Sequence, residues 1–326
     1  MLQVPLRAAP TPHRPLGQEP PAGHRLAHFL CRWEDTKIIS YQRNRFVKTS
    51  ELAFPFLDDI SGTIRGYRIF TACRTIRGKI FRLEDHLERL YHSAAGIYMK
   101  PPLPRDELRK LLAVLLEENR NFGVKGDLLV DVIFSGGLAG STMKQSGSGA
   151  HLYIAVQELV PPPPDCYERG VGLATFSYQR MCPDVKLLNY VGAILAHQTV
   201  VPFQDAYEVL FIFPPDQQTI LEGSTFTMFF VDAEGDILTP PLDGRILDSI
   251  TRRVVFEIIA QRPEIRIREE PVALAELPSF SEAFLASTTR NLLPVVRIDD
   301  KLIGNGRPGP RTHVLMDLFQ DYLNAY

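Results

Sequence analysis

Four consecutive prolines, Pro161 to Pro164, constrain this chain more than any other feature. Each ring fixes φ and removes a backbone donor, so the run can continue neither a helix nor a central strand, and it stiffens into an extended spacer. A chain of 326 residues exceeds what one ordinary core organises. The spacer at 160–165 therefore predicts a small first domain over 26–159 and a larger second domain over 166–326. Residues 1–25 carry Pro5, Pro10, Pro12, Pro15, Pro20 and Pro21 without apolar periodicity. They predict a disordered extension, too rich in proline for an amphipathic transit peptide.

The two halves differ in their apolar pattern. In the first, β-rich runs such as Lys37 to Tyr41 and Arg68 to Cys73 precede Leu83, Leu87, Leu90, Ala94 and Ile97 at helical spacing. Leu108, Leu111, Leu112, Leu115 and Leu116 repeat that spacing, so two amphipathic helices are predicted. Strands over Leu128 to Phe134 and His151 to Gln157, joined by a Gly- and Ser-rich loop, close the domain. In the second half, strands near 172–177, 208–213, 226–232 and 283–287 alternate with helices near 187–201 and 246–261. Interleaving of this kind predicts an α/β layer or closed barrel.

A formal net charge of −2, from 36 basic and 38 acidic residues, provides no polycationic face for nucleic acid or anionic lipid. A small molecule is the expected partner. Cys31, Cys73, Cys166 and Cys182 are scattered without a C-x-x-C pair, which predicts a reducing, cytoplasmic setting. No apolar run approaches the roughly 18 to 20 residues of a membrane span.

Chemistry concentrates in a few places. Lys186 precedes a densely apolar run, and a desolvated ammonium is readily neutral and able to condense with an aldehyde. A lysine at a helix start also suits a side chain snorkelling to solvent. Glu222 lies in Leu221-Glu222-Gly223-Ser224, where a carboxylate could hold a pyridine nitrogen protonated or simply end a turn. Asp248-Ser249-Ile250-Thr251 opens an apolar-periodic helix, so either of the first two residues could cap it and its free N–H groups would suit a phosphate. Arg89 offers a planar fork to phosphate or, alternatively, a surface ion pair with Asp85 four residues earlier. Ser287-Thr288-Thr289 follows a strand and supplies hydroxyls for a phosphate or carboxylate. Together, a lysine, a carboxylate and a helix-start anion site are what a chain needs to hold pyridoxal 5'-phosphate and react through it.

Taken in order, Gly78-Lys79-Ile80-Phe81-x-Leu83-x-x-His86-x-x-Arg89-Leu90, Lys186-x-x-Asn189-Tyr190, Glu222-Gly223-Ser224, Ile250-Thr251-Arg252 and Ser287-Thr288-Thr289 resemble the class IV aminotransferase family. That family holds branched-chain and D-amino acid aminotransferases, (R)-amine transaminases and aminodeoxychorismate lyase. The resemblance runs from about Phe54 to Thr312. It implies an α/β (α+β) fold of the fold-type IV pyridoxal-phosphate architecture, with a small α/β domain and a larger pseudo-barrel α/β domain. It also implies that Lys186 is the Schiff-base lysine and proton carrier and that Glu222 partners the pyridine nitrogen. Arg89, Ile250, Thr251 and Thr288 would contact the phosphate, and Tyr190 would lie near the cofactor's ring oxygen. Phe70 and Thr289 are the candidates for touching substrate. A homodimer whose partner subunit completes the substrate pocket is implied as well.

Departures from the family pattern fall where substrate is chosen. Thr71 stands where many members have an acidic residue, Thr227 where an asparagine is usual, and Gly136 where D-amino acid enzymes carry an arginine. The expected activity is transamination between an amino acid or amine and a 2-oxo acid, with ping-pong kinetics. A lyase that eliminates pyruvate, and a catalytically degenerate homologue, are the alternatives.

Overall fold

The computed structural model describes residues 37–138 and 149–326, so the proline-rich extension and most of the glycine-rich loop lie outside the described residues. Two sheets organise these. In the first, β1 (Ile39–Gln42), β2 (Arg45–Lys48), β3 (Arg68–Ile76), β4 (Lys79–Ile80), β5 (Leu128–Ser135) and β6 (His151–Glu158) pair antiparallel in the order β2-β1-β6-β5-β3-β4. Besides the short α1 (Ile60–Thr63), its helices are α2 (Leu83–Gly96) and α3 (Arg105–Asn121). Their leucines, Leu87, Leu90, Leu108, Leu112 and Leu115, pack on Ile69, Val130 and Val132 of the sheet. Alternate strand residues face the other way, and Phe70, Ile133 and Tyr153 stand side by side in register on that second face.

The second sheet comprises β7 (Val171–Ser177), β8 (Glu208–Ile212), β9 (Ile220–Gly223), β10 (Thr227–Val231), β11 (Ile237–Thr239), β12 (Ile267–Glu269), β13 (Glu282–Ser287), β14 (Asn291–Ile298) and β15 (Lys301–Leu302). Their order is β12-β11-β10-β13-β14-β7-β8-β9, with β15 on β14. The sheet curls into a half-barrel, with a backbone hydrogen bond from Gly223 to Phe226 O turning β9 toward β10. Strands β8, β9, β10 and β13 are buried along their whole length, and β8, β10 and β13 accordingly read as largely apolar runs rather than alternations. The helices of this half are α4 (Pro164–Arg169), α5 (Val191–Thr199), α6 (Val201–Gln204), α7 (Ile250–Ala260) and α8 (Pro310–Ala325). Of these, α7 and α8 cover the stacked pair Phe229 and Phe284, whose ring centroids are 4.9 Å apart.

Three boundaries differ from the sequence expectation. Pro164 opens α4, because a proline at the first helical position lacks only an N–H that would be unpaired anyway. The helix expected over 187–201 begins at Val191 and ends at Thr199, and Pro202 sits in the first turn of the short α6 that follows. Ahead of it Lys186 to Leu188 are extended, since Phe70 N donates to Lys186 O at 3.1 Å and Leu188 N to Arg68 O at 3.0 Å. Two hydrogen bonds to β3 thus outweigh local helix preference. Finally, α7 starts at Ile250 rather than 246, with the Ser249 hydroxyl accepting from Arg252 N at 3.4 Å.

The two sheets are tied together by charge. Arg82, at the start of α2, donates to Glu257 of α7 at 2.6 and 2.7 Å and to Tyr322 of α8 at 2.9 Å. Arg74 of β3 reaches Asn291 of β14 at 2.6 Å. These links fix the gap between the sheets.

Candidate active site

In that gap lies a cavity of about 330 Å³ that brings together Phe70, Arg89, Lys186, Tyr190, Glu222, Thr288 and Thr289. A wider groove of about 630 Å³, beside Asp232 and the start of α8, holds none of these residues.

Lys186 sits on the seam. Its carbonyl is bonded to β3, its N–H donates to the Ser93 hydroxyl of α2 at 3.1 Å, and its Nζ lies 4.6 Å from the centre of the Phe70 ring. Burial, with the charges of Arg89 and Arg180 adding to it, pulls the ammonium down to about 7 against the opposing pull of Glu222 and Asp131. A large neutral fraction at physiological pH makes this amine a nucleophile.

Glu222 lies on β9 and is buried. One oxygen accepts from Arg180 at 2.8 Å (Nε) and 2.6 Å (Nη2), and the other accepts from Leu247 N at 3.2 Å. Arg180 also donates to Pro183 O at 2.6 Å and Val185 O at 3.3 Å, so the loop leading to Lys186 wraps around its guanidinium. Sequence reasoning missed Arg180, because no motif spacing announces a pairing made only in three dimensions.

Arg89 is buried and does not pair with Asp85, which goes instead to Arg82 and Arg253. Its guanidinium donates to Thr71 Oγ1 and to Asp248 O, both at 3.1 Å, and its Nε has no partner among the described residues. Thr71 also shares a 2.8 Å hydrogen bond with His86 Nδ1. Burial holds His86 well below its ordinary range, with the nearby Arg89 and Lys186 charges acting the same way. The hydroxyl can donate to the neutral imidazole while accepting from Arg89. Threonine in place of an acid therefore leaves Arg89 without a counter-charge at that position.

Ser249, rather than Asp248, caps α7 and borders the cavity together with Leu247. Ile250 and Thr251 stand just behind, lining a small adjoining void with His86, Ser287 and Thr288. Tyr190 meets Phe70 edge-on at 5.9 Å, and burial raises its phenol. Thr227 lines the cavity too. Gly136 does not: a Cβ there would fall 2.4 Å from Tyr67 Cδ1, which leaves no room for a side chain.

A second network borders the same cavity. Arg290 donates to Thr225 at 2.8 Å and Glu208 at 2.9 Å, while Glu208 accepts from Ser224 at 2.9 Å and contacts His197 at 2.5 Å. The hydrogen bond to Glu208 raises the His197 imidazole.

An amine, a carboxylate and a cation with an unused donor, enclosed between a six-stranded and a curled nine-stranded sheet, define an enzyme cleft of the fold-type IV class. The pattern of the family described as amino-transferase class IV matches residues 68–298. A putative branched-chain-amino-acid aminotransferase of Methanocaldococcus jannaschii is 30% identical over 287 residues, covering 86% of this chain and 95% of the relative. D-alanine aminotransferase of Staphylococcus haemolyticus is 27% identical over 290 residues, covering 86% and 96%. Among solved structures, the branched-chain aminotransferase of Thermoproteus uzoniensis with norvaline superposes with a TM-score of 0.76 at 25% identity, over 88% of this chain and 95% of that one. The chain belongs to the class IV aminotransferase family. It is a transaminase, and relatives named as aminotransferases favour that activity over the lyase alternative. Among the described residues, no helix is long and apolar enough to cross a membrane.

Proposed function

We propose that this protein moves an amino group between an amino acid or amine and a 2-oxo acid, with pyridoxal 5'-phosphate bonded to Lys186. The observation that carries the reading is the enclosed Lys186 amine, pulled down to about 7, in one cavity with the Arg180-held Glu222 carboxylate. The residues present fit that cofactor. The orphaned Nε of buried Arg89, with the α7 start at Ile250 and Thr251 and the Thr288 hydroxyl nearby, suits a phosphate.

When bound, pyridoxal phosphate supplies an aldehyde and a pyridinium ring that accepts an electron pair. Arg89, Ile250, Thr251 and Thr288 would hold its phosphate. Glu222 would face the ring nitrogen, with Arg180 orienting the carboxylate, and Tyr190 would stand near the ring oxygen. Lys186 carries the proton at the substrate's Cα, for which an amine neutral near pH 7 is matched to its task. Phe70 and Thr289 would meet substrate.

A division into domains at 160–165 is supported by the separate sheets on either side. A homodimer is supported by the apolar side chains that α5 exposes, Val191, Ile194 and Leu195. A reducing, cytoplasmic location is supported by Cys73, Cys166 and Cys182, all free.

Purified protein mixed with pyridoxal phosphate should develop a visible imine band that bleaches with an amino donor. Lys186→Ala should lose both band and turnover, the latter by on the order of 10³-fold or more. Full activity in that variant would overturn the proposal.

A further inference from the structure

We infer that Asp131 selects the amino donor, favouring one whose side chain ends in a cation. This deepens the transaminase reading and rests on it.

The placement follows from the pleat. Leu129, Asp131 and Ile133 alternate on one face of β5, the face shared by Phe70, and Leu129, Phe70 and Ala72 line the cavity. Register sets Ala72 of β3 directly beside Asp131 on one side and Ala155 of β6 on the other. Its neighbours along the strand face are large, whereas those across it are methyl groups. Asp131 therefore stands just behind the cavity surface, beside the lining residues Ala72 and Leu129, in a gap left by two small side chains; the residue as a whole is half-buried.

The site already described does not use this group. Glu222 has Arg180, and Glu208 has Arg290. Asp131 accepts from the Gln157 side chain, and among the described residues the cation that acts on it is Lys186. In the loaded enzyme that lysine is committed to the cofactor. Burial pushes the carboxyl up to about 6, so the group remains largely ionised near neutral pH while bearing the cost of a poorly compensated charge. A donor carrying an ammonium or guanidinium would relieve that cost, a donor with an acidic side chain would be repelled, and an apolar one would gain nothing.

The test uses the full-length enzyme loaded with pyridoxal phosphate. Bleaching of the visible band is followed with lysine, its apolar counterpart norleucine, and glutamate, for wild type and Asp131→Asn. Wild type should favour lysine, and the variant should raise the lysine KM on the order of 10-fold to 100-fold while norleucine changes less than about twofold. A second readout needs no turnover. The thermal midpoint is measured with 4-guanidinobutyrate, a cation with no transferable amine, which should stabilise wild type and not the variant. Equal losses for lysine and norleucine, or equal stabilisation of both proteins by 4-guanidinobutyrate, would overturn the inference. If no donor bleaches wild type, the transaminase reading fails by itself, and the guanidino ligand still decides the role of Asp131.

Discussion

The wall supplied by the curled nine-stranded sheet and the wall supplied by the six-stranded sheet satisfy their polar groups in different ways. On the first, Glu222 is gripped by Arg180 and Leu247 N, Ser249 is used as a helix cap, and Arg290 is closed off by Glu208 and Thr225. On the second, Phe70, Ala72 and Leu129 line the cavity with apolar side chains, and Asp131 stands on the same face beside Ala72. Polar groups locked to one another before any ligand arrives suit an occupant that never varies. A smooth wall with small residues suits a side chain that does. On the proposed reading the first wall would serve chiefly the cofactor and the second chiefly the substrate, with Arg89 and Thr289 crossing that division and Lys186 on the seam.

The largest break in this contrast comes from loosening the first wall. Glu222→Ala should keep the imine band and lose turnover by on the order of 10² to 10³-fold, as expected when a preorganised charge is removed. Arg180→Met should lower turnover and also cost about 3 kcal/mol in chemical unfolding of the cofactor-free chain, because it leaves Glu222 buried without its cation. A variant with normal turnover would mean that Arg180 does not orient the carboxylate.

The seam itself is tested by pH. With the Lys186 ammonium at about 7, the rate of cofactor capture should climb to about pH 7 and then level off, whereas an ordinary lysine would keep climbing toward about 10.4. The same shift acts on stability. The folded value lies below the unfolded one, so the unfolded chain binds more protons between the two and stability rises with pH across that window. Lys186→Met should therefore stabilise the cofactor-free protein by a few kcal/mol below pH 7, with the gain fading toward pH 10. Capture that shows no break near pH 7 would refute the desolvated amine.

The smallest expected effect lies behind the phosphate candidates. Thr71→Val removes the hydroxyl that His86 and Arg89 share and should weaken cofactor binding by about 5-fold to 10-fold, read by equilibrium titration, with little change in turnover at saturation.

Much of this was legible in the chain as written. Leucines at helical spacing mark α2 and α3, continuous apolar runs mark β8, β10 and β13, and the ordered motifs pick out Arg89, Lys186 and Glu222. These signals are local, since each depends on residues within a few positions of one another. The misreadings have the opposite character. Leu187 and Leu188 read as helix and are extended because their partners lie on β3, more than a hundred residues earlier. Helix spacing alone favours an Arg89–Asp85 ion pair, whereas in the fold Arg89 donates to Thr71 and to a carbonyl of the helix-start segment far along the chain.

Sequence alone determined which chemistry the chain could carry, because an amine, a carboxylate and a guanidinium keep their reactivity classes wherever they stand. Only the tertiary structure decided which of them would share a cavity, which charge would be neutralised and which left open. Desolvation and pairing depend on distance in space, and strand register placed Asp131 between two alanines just as the loop around Arg180 aimed Glu222.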